Sequence, residues 1–254
     1  HGPILASAQA FEARLLKDLA SRSNRTALCL EMVFGRQQRI LDRFLREEIS
    51  EEEFLRRIRY DLEWGYDWQS FRPIFQVARE YGLPVFGIDC EPRSGFRNIR
   101  KRDTYAAARI ADIAWKNPRT KLVVIVGESH LGRSHLPGKV LRNLRRKGLE
   151  RRSLIVLQNL EGIYWQLPER GLQQAEVVRL APDAFCVFNA SPLGKYEAYR
   201  QVLDRWKGEN EDESAVDLTP TLYNIIDTIL GFLKVDKYTY CLSRESRCTE
   251  FLVD

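Results

Sequence analysis

The chain alternates short apolar segments with segments that carry a helical repeat of apolar residues. Residues 26–33, 84–89, 121–126 and 153–159 are mostly apolar, a pattern typical of strands that are buried on both faces of a sheet. Segments such as residues 4–21 lie between them and place leucine and phenylalanine side chains on one helical face. This alternation predicts an α/β fold with a mainly parallel sheet and helices on both faces of it.

Local signals mark several helix ends. Ser50 and Glu53 have the spacing of a capping box, which predicts that a helix begins there. Gly82 is suited to a left-handed helix end, and Pro137 to a first helical turn. The other predicted helices cover residues 36–46, 104–115 and 137–147, and the other predicted strands cover residues 176–180 and 184–189.

The domain organisation follows from a change in composition near the C-terminus. Residues 208–217 are polar and acidic, which is typical of an exposed linker. We therefore predict an α/β domain over residues 1–207 and a C-terminal add-on of a helix and short strands over residues 218–254. The sequence leaves open whether the add-on packs on the main domain or lies at a dimer interface, so a homodimer is one alternative.

The charge pattern argues against nucleic acid as a partner. The formal net charge is +5, but basic and acidic residues are interspersed except in residues 142–152, which we interpret as a solvated helix end. No nucleic-acid motif accompanies that stretch. The longest apolar run, Leu122–Val126, is far shorter than the roughly 20 residues that a membrane-spanning helix needs. We therefore predict no transmembrane segment.

The cysteines bear on the cellular compartment. Three of the five lie in or beside predicted strands and are expected in the core. These are Cys29, Cys90 and Cys186. Cys241 and Cys248 are close enough in sequence to form a disulfide in an oxidising compartment. The odd total favours a reducing, cytoplasmic location, and a periplasmic or membrane-anchored location is expected instead if a leader was removed before His1.

Polar residues follow the predicted strands at their carboxyl ends. The first strand ends in Glu31, the second in Asp89 and the third in residues 127–130, whereas Asn159 and Asn189 end later strands. Because ligands of open parallel sheets bind outside the carboxyl ends of the strands, we expect these side chains to line one crevice. Two carboxylates and a histidine there have the chemistry of a metal site or of an acid–base pair.

Each of these residues also has a structural interpretation. For His130 the glycine turn and the nearby carboxylates favour a functional role, whereas His135 is expected to cap the following helix. Glu31 is equally consistent with a functional role and with an ion pair to a structural arginine. Trp64 and Tyr66 belong to an aromatic stripe at helical spacing, which is more typical of a core than of a flat cofactor pocket.

Several segments in order along residues 4–145 resemble a known family. They are Leu30–Phe34 with Gln37 and Gln38, Trp64 to Phe75, Leu83–Val85, Asp89 to Arg93, and Gly127–His130 followed by Leu136 and Pro137. This series resembles the ChaN-like haem-binding uptake proteins of the Tiki superfamily. The family's first motif, G-E-x-H, is expected to precede the helix that begins near Ile4, and His1 is either its remnant or a tag residue.

The resemblance implies an α/β fold with a site at the strand ends that binds haem or a related small-molecule ligand. The residues with suitable chemistry for an axial ligand, an aromatic wall or a propionate contact are Trp64, Tyr66, Arg93, His130 and His135.

The superfamily also implies an alternative function, a metal-dependent peptidase or esterase. In that case His1, Glu31 and His130 are expected to hold zinc or manganese, and Glu128 or Asp89 to act as general base. A third alternative is a regulatory domain that keeps the fold without the chemistry.

Overall fold

The computed structural model describes residues 3–93, 98–132, 134–172 and 174–190. The helices are α1 (Pro3–Arg22), α2 (Gln38–Leu45), α3 (Glu51–Ile58), α4 (Tyr60–Glu63), α5 (Trp68–Glu80), α6 (Ile99–Lys116), α7 (Leu136–Arg146), α8 (Glu161–Tyr164) and α9 (Gln166–Glu169). The strands are β1 (Thr26–Phe34), β2 (Val85–Asp89), β3 (Lys121–Ile125), β4 (Ile155–Gln158), β5 (Val177–Ala181) and β6 (Ala184–Val187). Short 3₁₀ turns cover Gly35–Gln37 and Glu128–His130.

The strands form two three-stranded sheets rather than the single sheet predicted from the sequence. The first has the order β2-β1-β3 and is parallel throughout. The second has the order β4-β6-β5, in which β4 and β6 are parallel but β5 and β6 are antiparallel. Only Pro182 and Asp183 connect β5 to β6, and a connection this short permits a hairpin but not a parallel crossover.

Strand β1 is the centre of the core, and all nine of its residues are buried. Leu28 and Leu30 pack into a cluster with α1, α2, α3 and α5. Cys29 points to the opposite face and packs into a cluster with residues of α6 and with Leu136. Helices therefore cover both faces of the first sheet, which confirms the predicted α/β layering.

Aromatic side chains fill the core on the α2, α3 and α5 side. The rings of Phe44 and Phe54 are stacked with their centroids 4.1 Å apart, and Trp68 and Phe75 pack around them. Trp68 and Phe75 of the predicted aromatic stripe are therefore core residues. Such rings stabilise the fold mainly through the apolar area that they bury.

The helix ends predicted from local signals are present. Ser50 caps α3 by accepting a hydrogen bond from the Glu53 amide, and Gly82 has φ +59° beyond the end of α5. Helix α6, however, begins at Ile99, five residues before the predicted start. Its first turns are mostly polar. The sequence therefore has no apolar repeat there from which a helix could be predicted.

The described residues belong to one compact unit, His1–Arg200. The predicted linker, the C-terminal add-on and the pair Cys241 and Cys248 lie outside the described residues and stay predictions. Cys29 and Cys186 are buried as expected, and Cys90 is half-buried. No helix in the described part of the chain is long and apolar enough to cross a membrane.

Candidate functional site

The order β2-β1-β3 brings three of the predicted site residues together at one edge of the first sheet. Glu31 lies near the end of β1, Asp89 is the last residue of β2, and His130 lies in the 3₁₀ turn that follows β3. All three are buried, with exposed fractions of 8%, 2% and 4% respectively. Buried charged groups need partners, and the structure supplies them from helix α6.

Arg102 of α6 joins the two carboxylates. Its Nε and one terminal nitrogen donate to the two oxygens of Asp89, at 2.8 and 2.9 Å. The same terminal nitrogen donates to Oε1 of Glu31. Glu31 thus has the arginine partner that was one of the two interpretations of its sequence position.

Arg93 is a second arginine that binds Asp89, the last residue of β2. Its Nε donates to Asp89 at 2.8 Å, and its two terminal nitrogens donate to the backbone carbonyls of Glu31 and Glu63 at 2.8 and 2.6 Å. The guanidinium carbon lies 4.9 Å from the ring centre of Trp64. The planar group is therefore fixed by hydrogen bonds at its edge and by an aromatic ring against its face.

Trp64 and Tyr66 form an aromatic pair beside Arg93. Their ring centroids are 5.4 Å apart in an edge-to-face arrangement, and Trp64 also contacts Phe71. Trp64 is half-buried, whereas Tyr66 is 38% exposed. The pair therefore lies where the network reaches the surface, unlike the buried rings of the core.

His130 lies between two carboxylates. Its Nδ1 is 2.6 Å from Oδ1 of Asp103, and its Nε2 is 3.2 Å from Oε1 of Glu31. Burial lowers the pKa of His130, but the hydrogen bond and charge of Glu31 and the hydrogen bond of Asp103 outweigh burial and raise the pKa above its ordinary value. The protonated imidazole can donate from both nitrogens and so satisfies both acids.

The same contacts act on Glu31 in the opposite direction. Burial alone raises its pKa, but the hydrogen bond and charge of His130, the amide of Gly127 and the charge of Arg102 lower it to about 2. The Gly127 amide donates to Oε2 at 2.6 Å. Glu31 is therefore held as a carboxylate whose oxygens are already bound by the chain itself.

Asp103 holds a second histidine with its other oxygen. Nδ1 of His135 is 2.8 Å from Oδ2 of Asp103, and Lys139 Nζ lies 3.9 Å from the same oxygen. Asp103 is completely buried, whereas the His135 side chain is 42% exposed. His135 occupies the N-cap position of α7, but its side chain makes no capping hydrogen bond. Its partner is the carboxylate instead.

Sequence reasoning missed Arg102 and Asp103, which connect the site. The prediction considered only residues at the strand ends, whereas Arg102 and Asp103 lie in the early turns of α6. A signal was present, because these positions continue the buried stripe of α6 that includes Ala106, Ala107 and Ile110. Charged residues on the buried face of a helix require a buried partner.

The described residues contain no group of three or more His, Cys, Asp or Glu side chains placed to hold a metal ion. Both nitrogens of His130 face carboxylates, and both oxygens of Glu31 accept hydrogen bonds. Glu128 is exposed, and His1 lies outside the described residues. The predicted ligand set of His1, Glu31 and His130 therefore gains no support from the described contacts.

Haem needs fewer ligands from the protein than a free metal ion does, since a single imidazole nitrogen can hold its iron. Nδ1 of His135 is bonded to Asp103, and Nε2 has no hydrogen-bond partner among the described residues. A histidine that ligates a metal usually donates its other ring N–H to a carboxylate or carbonyl. His135 fits that pattern, and His130 does not.

Comparison with known proteins agrees with the resemblance seen in the sequence. No curated protein and no solved structure matches the chain significantly. A family model described as haem-binding uptake, Tiki superfamily, ChaN matches residues 6–104. The matched region includes Glu31, Asp89, Arg102 and Asp103, and ends before His130 and His135. Over residues 6–104 the chain is therefore similar to the ChaN-like haem-binding uptake proteins of the Tiki superfamily.

Proposed function

We propose that this chain binds haem and that His135 supplies the axial ligand to the iron. The observation that carries the proposal is the contact of His135 Nδ1 with the buried carboxylate of Asp103, at 2.8 Å, on a side chain that is 42% exposed. The match of residues 6–104 to a haem-binding uptake family supports the choice of ligand.

Asp103 prepares His135 for this role in two ways. A carboxylate that accepts the Nδ1 proton fixes the tautomer in which Nε2 carries the free electron pair, and it holds the ring in one orientation. The carboxylate is itself held by His130 at 2.6 Å. The ring orientation of His135 is therefore set by a residue that cannot move without disturbing the buried network.

Gly132 contributes by its lack of a side chain. A Cβ atom at this position would lie 2.9 Å from Cδ2 of His135, closer than van der Waals contact allows. The turn between β3 and α7 therefore leaves room for the imidazole ring beside its backbone. The substitution Gly132→Ala is expected to displace the ring and to weaken haem binding without removing the ligand.

The other predicted ligand-binding residues have supporting positions in this proposal. Trp64 and Tyr66 offer an aromatic wall at the surface end of the network, and Arg93 orients Trp64 through its guanidinium plane. Asp89 fixes Arg93. Bound haem would supply the iron centre, and these side chains would shape the surface that receives the porphyrin.

A titration of the full chain with haem, followed by absorbance, tests the proposal. The unmodified chain is expected to develop a Soret band that saturates at a stoichiometric end point. His135→Ala is expected to lose this end point, and added imidazole is expected to restore the band because it replaces the missing ligand. Leu62→Ala, at a position 69% exposed, serves as a surface control.

Two results would contradict the proposal. One is a chain that takes up haem only without saturation. The other is equal affinity in the unmodified chain and in His135→Ala, which would assign the axial ligand to another residue.

A further inference from the structure

The two sheets leave a gap between them that is lined by strand edges. Within the described residues, β3 pairs only with β1 and β4 pairs only with β6, so each has one edge without a strand partner. A cavity of about 660 Å³ lies between these edges and is lined by residues 121–126 and 153–158. We call this cavity the β3–β4 slot.

Helices contribute side chains to the slot lining on both sides of the sheet layer. Helix α1 contributes apolar side chains to the lining, and helices α6 and α7 contribute others. They include Phe11, Leu15 and Leu19 from α1, Ile110 from α6, and Val140 and Leu144 from α7. The slot therefore has the surroundings of an interior strand, with a strand edge at each side and an apolar helix face on either side of the sheet layer.

The partial exposure of β3 and β4 agrees with a missing strand between them in the sheet layer. Every residue of β1 is buried, whereas the residues of β4 and four of the five residues of β3 are only half-buried. Arg151, just before β4, donates to the backbone carbonyls of Asn117, Pro118 and Thr120, just before β3. The starts of the two strands are thus held together by a side chain, although the strands themselves do not pair.

Glu12 provides a second, independent sign that the slot takes a partner. This α1 residue lines the slot, and its Oε1 accepts a hydrogen bond from Gln158 at 3.1 Å. Its Oε2 is buried and has no hydrogen-bond partner among the residues that the structure describes. Burial raises the pKa of Glu12 to about 7 in spite of the Gln158 bond. A buried carboxyl oxygen of this kind requires a donor, such as a backbone N–H.

We propose that the β3–β4 slot is a docking site for an extended apolar segment of a partner polypeptide. The segment pairs with β3 along one edge and with β4 along the other, and it joins the two sheets into one. It is about as long as β3, which has five residues, and it is apolar on both faces because helices lie against both.

The chemistry of the lining distinguishes this occupant from haem. An extended peptide satisfies the backbone N–H and C=O groups of two strand edges at once, and a porphyrin satisfies neither edge. The described residues that line the slot also include no histidine, cysteine, methionine or tyrosine that could serve as an axial ligand. The slot is therefore a second site that differs in chemistry from the one proposed around His135, although Leu136 and Pro137 of its lining follow His135 directly.

Hydrogen–deuterium exchange on the full chain tests the proposal directly. The probe is a synthetic peptide with a central run of valine and isoleucine as long as β3 and lysines at both ends. The control peptide has the same sequence except for a proline in place of the central residue, which removes a backbone donor and prevents pairing. The expected result is saturable binding of the first peptide, with slower exchange in β3 and β4 and unchanged exchange in β2.

A matched pair of variants tests the location. Leu15→Lys places a charge on the α1 wall of the slot and is expected to weaken peptide binding at least tenfold. Leu62→Lys introduces the same charge at a position that is 69% exposed and outside the slot lining, and is expected to leave binding unchanged.

Four results would overturn the proposal. They are slow exchange of the β3 and β4 edges in the free chain, no protection by the peptide, equal protection by the proline peptide, and protection of these strands by haem instead.

Discussion

Two histidines share one carboxylate in this protein, and they differ in almost every other respect. His130 is 5% exposed at its side chain and has a carboxylate at each ring nitrogen. His135 is 42% exposed and, among the described residues, has a carboxylate at Nδ1 only. Asp103, which is completely buried, lies between them and bonds both.

The difference shows how one buried acid can serve both stability and binding. At His130 the charge of the imidazolium is matched on both sides, so the residue stabilises the junction of β1, β3 and α6. At His135 the same acid orients a ring whose second nitrogen has no partner in the part of the chain that the structure describes.

Removal of the shared carboxylate is expected to have the largest effect. Asp103→Ala leaves His130 buried with one acid instead of two and frees the ring of His135. Breaking a buried ion pair by removing one partner typically costs about 3–5 kcal/mol, and we expect a loss of unfolding free energy of that order in urea denaturation. Haem affinity is expected to fall as well, because a carboxylate that orients a metal-ligating histidine is typically worth about 10–100-fold in affinity.

Asp112 provides a control on the same helix. It is an exposed carboxylate, 57% accessible at its side chain, that pairs with Lys147 at 2.8 Å. Asp112→Ala is expected to cost less than about 1 kcal/mol, as exposed pairs usually do. Equal destabilisation by the two substitutions would show that Asp103 has no special place in the structure.

Glu31 is expected to make the free energy of unfolding depend on pH in the acid range. The pKa of Glu31 is lowered from 4.5 to about 2, so the folded state binds its proton less readily than the unfolded state. The stability that results is present above pH 4.5 and is lost as the pH falls toward 2, by roughly 3 kcal/mol in total. Unfolding free energies measured across this interval are expected to fall less steeply in Glu31→Gln.

His130 acts in the opposite direction on the pH scale. Its pKa is raised above 6.5, so its contribution is complete below pH 6.5 and is lost as the pH rises through the folded-state value. The two groups together therefore stabilise the protein most between about pH 4.5 and 6.5. A control, Glu150→Gln, changes an exposed carboxylate outside this network and is expected to leave the profile unchanged. A profile unaltered by Glu31→Gln would contradict the assignment of this network.

Substitution of each histidine is expected to lower the free energy of unfolding by a smaller and unequal amount. His130→Ala leaves two buried carboxylates with one fewer donor, which is expected to cost about 1–3 kcal/mol. His135→Ala removes a partly exposed contact and is expected to cost less than about 1 kcal/mol. Thermal unfolding of the two variants in the same buffer measures the difference. The reverse order would mean that His135, and not His130, supports the fold.

The sequence allowed prediction of the strands and of the edge at which the site lies. Apolar segments with polar ends were sufficient to place Glu31, Asp89 and His130 on the same side of a parallel sheet. The antiparallel pairing of β5 and β6 was missed because the prediction treated all strands alike and gave no weight to the two-residue connection. The gap between β3 and β4 depends on tertiary packing, which strand patterns do not report.

The division of roles between the histidines was not predictable in the same way. Sequence reasoning favoured His130 as the functional residue because it follows a glycine turn, and expected His135 to cap a helix. Both expectations considered residues near in sequence. The partner that separates the two is Asp103, which lies on α6 and reaches them only in the folded chain.

Chemical modification of the histidines with diethyl pyrocarbonate, read out by mass spectrometry with and without haem, tests the central claim most directly. The account predicts that His135 reacts quickly in the free chain and is protected when haem is bound, and that His130 reacts only when the protein unfolds. Equal reactivity of His130 and His135 in the folded chain, or no protection of His135 by saturating haem, would contradict it.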